Sequence, residues 1–205
     1  MNMETYGFTP MELRVLRSLK TPAKVQDFVD SLSYEHKNSY HSPKTILKRR
    51  SADCFTAALF AAAALRVNGY ESLVVDLEAE RDEDHVLAVF KTDGKWGAVA
   101  KSKFAGLKYR EPLFGSIREL AQSYFEHYYN YARQKTLRRY SRPINLKRFD
   151  KNNWMTTKDE SIIESIEEYL DSVPHFRIIS RKMEKKLRTV DKFSFARGII
   201  ERKKS

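Results

Sequence analysis

Residues 51–70 read Ser51-Ala-Asp-Cys54-Phe-Thr-Ala-Ala-Leu-Phe-Ala-Ala-Ala-Ala-Leu-Arg66-Val-Asn-Gly-Tyr70. Apolar groups fall on nearly every side of a helical wheel drawn through this stretch, which predicts a helix buried all round. Ser51 is the expected N-cap, and Asn68-Gly69 supplies a C-terminal cap. The uninterrupted apolar run, Ala57 to Leu65, is far shorter than the roughly 20 residues a membrane-spanning helix needs. A helix of this kind needs a domain around it. The 205 residues, 41% hydrophobic and 32% charged with seven Gly and six Pro, are enough for one ordinary globular domain.

Outward from that helix the elements follow from local signals. Thr9-Pro10, Thr21-Pro22 and Ser42-Pro43 each place a capping residue before a proline suited to the first helical turn. They predict helices over Pro10–Leu19, Pro22–Leu32 and Pro43–Lys48. After Gly69 the period changes to that of strands: Glu71–Glu78, His85–Lys91 and Trp96–Lys101, with a further extended piece near Leu107–Arg110. Asp93-Gly94 marks a hairpin between the second and third. A two-residue turn there sets position i opposite 187 − i, so that His85 faces Ser102. Ser116 predicts the cap of a long helix, about Ile117–Gln134, whose aromatic stripe includes Tyr124, Tyr128 and Tyr131. Thr157 with Glu160 has the form of a capping box before another helix. One or two helices are expected in the last stretch, 180–205. Together these give an α+β class, a Cys-bearing central helix packed on an antiparallel sheet with a helical C-terminal extension. The expected division is a domain over 1–142 and a basic helical extension over 143–205, packed on the same domain.

The net charge of +11 is unevenly placed. Residues 135–205 carry 19 basic and 10 acidic groups, against 19 and 17 in the rest. Clusters at Lys135/Arg138/Arg139/Arg142, Arg181/Lys182/Lys185/Lys186/Arg188 and Arg202/Lys203/Lys204 form either a solvated helical face or a site for nucleic acid or another polyanion. No Gly-rich phosphate loop, zinc finger or RNP sequence accompanies them. The N-terminal residues have neither the basic nor the apolar region of a secretory signal, so a cytoplasmic protein is expected.

Cys54 is the sole cysteine. It can enter neither an internal disulfide nor a cysteine-based zinc site, and the scattered histidines suggest no metal and no cofactor. It is therefore a small buried residue or a reactive thiol. Its place in the first helical turn favours the thiolate and predicts a lowered pKa. His85, opening a strand of the following sheet, is the candidate general base. Ser102 is the residue placed to orient its imidazole, with Asp76, Glu78, Asp84 and Glu111 as acidic alternatives. Gln26, on a helix upstream, is either a solvated side chain or a donor to a developing oxyanion beside the Cys54 backbone N–H.

The segment 51–70, a strand, and then Asp84-His85 leading a strand toward Trp96 resemble the transglutaminase-like, or papain-like, cysteine fold. Thr21-Pro-Ala-Lys-Val-Gln-Asp-Phe-Val-Asp-Ser-Leu32, Leu107-Lys-Tyr-Arg-Glu-Pro-Leu113 and Ile117-Arg-Glu-Leu-Ala-Gln-Ser-Tyr-Phe125 are similar to a bacterial group of such proteins. The resemblance spans about residues 21–142. It implies acyl transfer at a cysteine: hydrolysis or transamidation of a peptide or protein amide through a thioester. Cys54 and His85 match the family's order. Its Asp has no counterpart, because Trp96 is followed by Gly-Ala-Val-Ala-Lys-Ser. The expectation is thus a Cys–His acyl-transfer enzyme. The alternative is a weak or inactive binding module on the same scaffold, its basic C-terminal third contacting a polyanion.

Overall fold

The computed structural model describes residues 5–36 and 40–200. The cluster Arg202/Lys203/Lys204 lies outside them. Three short helices come first: α1 (Pro10–Ser18), α2 (Pro22–Asp30) and α3 (Pro43–Arg49). All three begin at the expected Thr/Ser-Pro pairs. Thr9 forms a reciprocal capping box with Glu12, and the Thr21 hydroxyl accepts from the Lys24 N–H. A parallel pair of two-residue strands, β1 (Ser33–Tyr34) and β2 (Ser51–Ala52), leads into α4 (Cys54–Val67). Ser51 is therefore in a strand, and the N-cap is Asp53, whose carboxylate accepts from the Thr56 N–H (2.7 Å) and hydroxyl (2.8 Å).

Every residue of α4 from Phe55 to Arg66 is buried. The one charged member, Arg66, makes a two-pronged bond to Asp150 (2.6 and 2.7 Å). After α4 come β3 (Leu73–Ala79), β4 (His85–Thr92), β5 (Lys95–Val99) and β6 (Arg110–Phe114). The β4–β5 hairpin keeps the register expected from Asp93-Gly94, with Thr92 opposite Lys95 and Ala88 opposite Val99. The fourth extended piece is displaced: Ala105–Leu107 is a 3-10 turn and the strand begins at Arg110.

The long helix expected over 117–134 is instead α5 (Ile117–Gln122), a 3-10 turn at Phe125–His127 and a loop closed by the Tyr129–Lys135 bridge. Two buried tyrosines account for the break. The Tyr124 hydroxyl donates to the Lys108 carbonyl, and that of Tyr128 to the carbonyls of Leu77 and Glu83. A straight helix would carry Tyr128 away from the β3 carbonyl and the following loop that satisfy it. The rest of the chain holds β7 (Leu137–Ser141), β8 (Ile144–Asn145), α6 (Glu160–Ser172), β9 (His175–Arg177), α7 (Arg181–Glu184) and α8 (Lys192–Gly198). The cap of α6 is Asp159, not Thr157. The extension over 143–205 is thus not helical throughout: β8 and β9 join the main sheet, β8 against β3 and β9 against β7.

That sheet has the order β6-β5-β4-β3-β7-β9, antiparallel at each pairing, with β8 against β3. The fold is mixed helix and sheet. Side chains alternate between two cores. Val74, Val86, Ala88, Phe90 and Val99 face α4, together with Ile163, Ile166 and Leu170 of α6. Leu77, Leu87, Val89 and Ala98 face the other way, onto Leu120, Tyr124 and Tyr128. Covering both faces explains why the central strands read as continuous apolar runs.

Gly97, on β5, has no room for a side chain. A Cβ there would lie 2.5 Å from Phe90 Cζ and 2.7 Å from the Arg110 carbonyl oxygen, the latter fixed backbone of the neighbouring strand. Gly97→Ala is expected to lower unfolding stability by about 1–3 kcal/mol, measured as a shift of the urea midpoint at unchanged slope.

Candidate functional site

Cys54 begins α4 and His85 begins β4. Both line one cleft of about 360 Å³, with Ser102, Leu107 and Tyr128 among its walls. Chain order alone placed these two together, and the fold does so by packing the α4 N-terminus against the start of β4. The contact between them differs from a direct pair. The Cys54 thiol donates to the Asp84 carbonyl at 3.8 Å. No hydrogen bond joins it to the His85 ring among the described residues.

Strand parity gives the reason. Asp76 stands opposite Val86, and Leu77 opposite His85. Val86 belongs to the core facing α4, and Leu77 to the core on the opposite face. The His85 ring therefore leaves β4 on the side away from α4, edge-on to the Tyr128 ring (centroids 6.4 Å).

On that side the His85 Nε2 meets the Leu107 carbonyl at 2.8 Å. A carbonyl only accepts, so Nε2 carries the proton and Nδ1 is the lone-pair nitrogen. Nδ1 has no hydrogen-bond partner among the described residues, and the largely buried ring belongs to the wall of the cleft. The orienting role that the sequence assigned to Ser102 is thus taken by a backbone carbonyl. Ser102 Oγ instead accepts from the Phe104 N–H (3.1 Å).

The acidic alternatives are all committed elsewhere. Asp76 accepts from His175 (3.1 Å) and Glu78 pairs with Arg139. The Asp84 carboxylate accepts from the Ala79 N–H (2.7 Å), and Glu111 takes the Tyr109 hydroxyl. His175 is not among the candidates that the sequence offers. Its Nδ1 bonds to the Val173 carbonyl (2.8 Å) and its Nε2 to the buried Asp76. The Asp76 bond raises the pKa of this imidazole, against the desolvation that would lower it. Nothing in the sequence separation of 99 residues signals this pair.

Electrostatics also depart from expectation. The helix N-terminus was expected to lower the thiol pKa. Loss of solvent and the neighbouring Asp53 carboxylate instead push Cys54 up to about 12. Burial pushes His85 down to about 4, with Arg110 acting in the same direction against the Leu107 bond. Asp84 is pushed up to about 6 by burial. A second cleft beside Cys54, about 300 Å³, is lined by Asp53, Asp76, Glu83, Glu167 and Asp171, which explains the negative field at the sulfur. At neutral pH the resting site is a thiol with a neutral imidazole, not an ion pair.

Gln26 is neither solvated nor free to donate to an oxyanion. It is buried, and its amide closes a two-bond ring with the Ala100 backbone: Nε2 to the carbonyl (2.9 Å), Oε1 from the N–H (3.0 Å). It fastens α2 to the chain leaving β5. Among the described residues no group of three His, Cys, Asp or Glu could hold a metal ion, and no helix is long and apolar enough to cross a membrane. Compared with protein-family models and with curated proteins, the chain matches none.

Two outcomes are expected. Gln26→Ala leaves two buried backbone groups unpaired and lowers stability by about 1–3 kcal/mol in urea unfolding. His85 is more easily protonated unfolded than folded, so its contribution is intact above the unfolded pKa of about 6.5 and is lost as pH falls toward about 4. The stability difference between the wild type and His85→Gln should therefore shift against the wild type across that window, read from urea midpoints at a series of pH values.

Proposed function

We propose that the chain is a cysteine-dependent acyl-transfer enzyme on a papain-like, transglutaminase-like core, acting on a peptide or protein amide. Cys54 is its nucleophile and His85 its base. The observation that carries the reading is the state of His85: Nε2–H is held by the Leu107 carbonyl, which leaves Nδ1 as the basic nitrogen of a ring lining the same cleft as Cys54. That is the tautomer a general base needs. The α4 N-terminus adds backbone N–H groups near the sulfur, where an oxyanion would develop.

The neutral resting pair sets the mechanism. A thiol held near 12 is not a standing thiolate, so the proton leaves the sulfur as it attacks the carbonyl carbon. His85 Nδ1 receives it, with a bound water bridging where the ring and sulfur do not meet directly. The tetrahedral intermediate collapses to a thioester, and the imidazolium returns the proton to the departing amine. Water or a second amine then attacks the thioester by the same steps in reverse order. A neutral carbonyl stabilises the imidazolium less than a carboxylate does, so turnover should be slow.

The bond of His85 to a backbone carbonyl, with no carboxylate on its ring among the described residues, favours a second reading, a binding module that keeps the scaffold without the chemistry. Acylation by p-nitrophenyl acetate separates the two. For the enzyme, one equivalent of p-nitrophenolate is released per chain, the acetyl group is found on Cys54 by peptide mass analysis, and His85→Ala slows the step about 10²-fold or more. Acylation that is absent, or unchanged in His85→Ala, establishes the binding module instead.

A further inference from the structure

Away from the Cys54 cleft, a groove of about 630 Å³ lies where β7, β9 and α7 meet the loop after β3. It shares no lining residue with either cleft at Cys54. Two basic clusters that the sequence separates by some forty residues converge on it. Arg138, Arg139 and Lys135 enter from β7 and the turn before it, while Arg181, Lys185 and Arg188 enter from α7 and the turn after it. Arg81 and Arg177 complete eight cations against three carboxylates, Glu78, Glu80 and Glu184.

Those carboxylates are already engaged. Arg138 Nε lies 3.0 Å from both Glu80 and Glu184, Arg139 pairs with Glu78 (3.2 Å), and Arg177 with Glu184 (2.6 Å). This paired floor fixes the groove's shape. Arg181, Lys185 and Arg188 are exposed, and no carboxylate pairs with them among the described residues. Three uncompensated cations thus stand over an ion-paired floor, to which Lys135 with Glu126 and Arg81 with Glu80 also belong, and six of the eight cations are arginine, whose planar fork suits phosphate oxygens.

We propose that this groove binds the phosphodiester backbone of a nucleic acid, without reading its bases. The lining composition selects this ligand over an acidic protein. Its apolar members are only Ala79 and Leu187, whereas a protein interface is anchored by buried apolar and aromatic groups. It also contains no aromatic ring, so bases find no stacking platform and contact falls to phosphates. The groove does not depend on Cys54 chemistry.

The test is fluorescence anisotropy of the full chain with a labelled, mixed-sequence single-stranded DNA of about twelve nucleotides, across a salt series. Binding should weaken with salt, and a second sequence of equal length should bind alike. Replacing Arg181, Lys185 and Arg188 together by Gln should weaken binding roughly tenfold or more and reduce the slope of log affinity against log salt by about 2. Arg181→Lys with Arg188→Lys should keep most of that slope, which shows that charge and not fold is being read. Arg14, Lys24 and Lys95, exposed on other elements, provide a control when all three become Gln. The proposal is overturned if no salt-dependent binding is seen, if both triple variants lose affinity equally, or if poly-glutamate of matched charge competes as well as the oligonucleotide.

Discussion

A helix with no polar side has to be enclosed, and the enclosure of α4 organises this protein. Phe55 to Arg66 are buried without interruption. The sheet covers one side, α1, α2 and α3 contribute Leu16, Val25, Val29 and Ile46, and α6 contributes Ile163, Ile166 and Leu170. Even the arginine within it is acceptable only because Asp150 meets its guanidinium with two bonds. The N-terminal end is where this enclosure stops. Cys54 sits there, half-buried, with its thiol against the backbone that begins β4.

The same enclosure sets the chemistry at that end. Desolvation raises the thiol pKa and lowers that of the imidazole, so both groups rest uncharged. The helix dipole favours a thiolate by a modest amount, and burial beside Asp53 outweighs it. The loop after β3 separates two surfaces of opposite sign. Glu80 and Arg81 turn toward the basic groove, and Asp82 to Asp84 toward the cleft of Cys54. A short loop between two strands therefore borders both candidate sites.

Much of the fold was legible because it depends on local signals. Thr9, Thr21 and Ser42 before prolines announce three helices, and Asp93-Gly94 fixes a hairpin whose register can be counted. The errors occur where distant partners decide. Tyr124 and Tyr128 end a helix that periodicity would have continued, because their hydroxyls are satisfied by the sheet and the strands' flanking loops. Asp53 replaces Ser51 as a cap because Ser51 pairs with Ser33 across the β1–β2 ladder. The cluster Lys135/Arg138/Arg139/Arg142 reads as a solvated helical face or a polyanion site, yet Arg138 and Arg139 belong to β7, which pairs with β3.

For the site, the sequence by itself determined which residues could meet: a cysteine at a helix start and a histidine at a strand start, each position readable from capping and alternation. Tertiary structure alone decided how they meet. The face from which His85 leaves β4 follows from its register with β3, and its orienting partner is the carbonyl of Leu107, a backbone atom that no residue identity reveals. Gln26 and Ala100, or Asp76 and His175, are joined by bonds across 74 and 99 positions of chain. The convergence of Arg138 and Arg181 on one groove likewise depends on β9 pairing with β7. Local sequence specifies turns and periods over a few residues, while charge fields, desolvation and backbone acceptors are properties of what the folded chain places nearby.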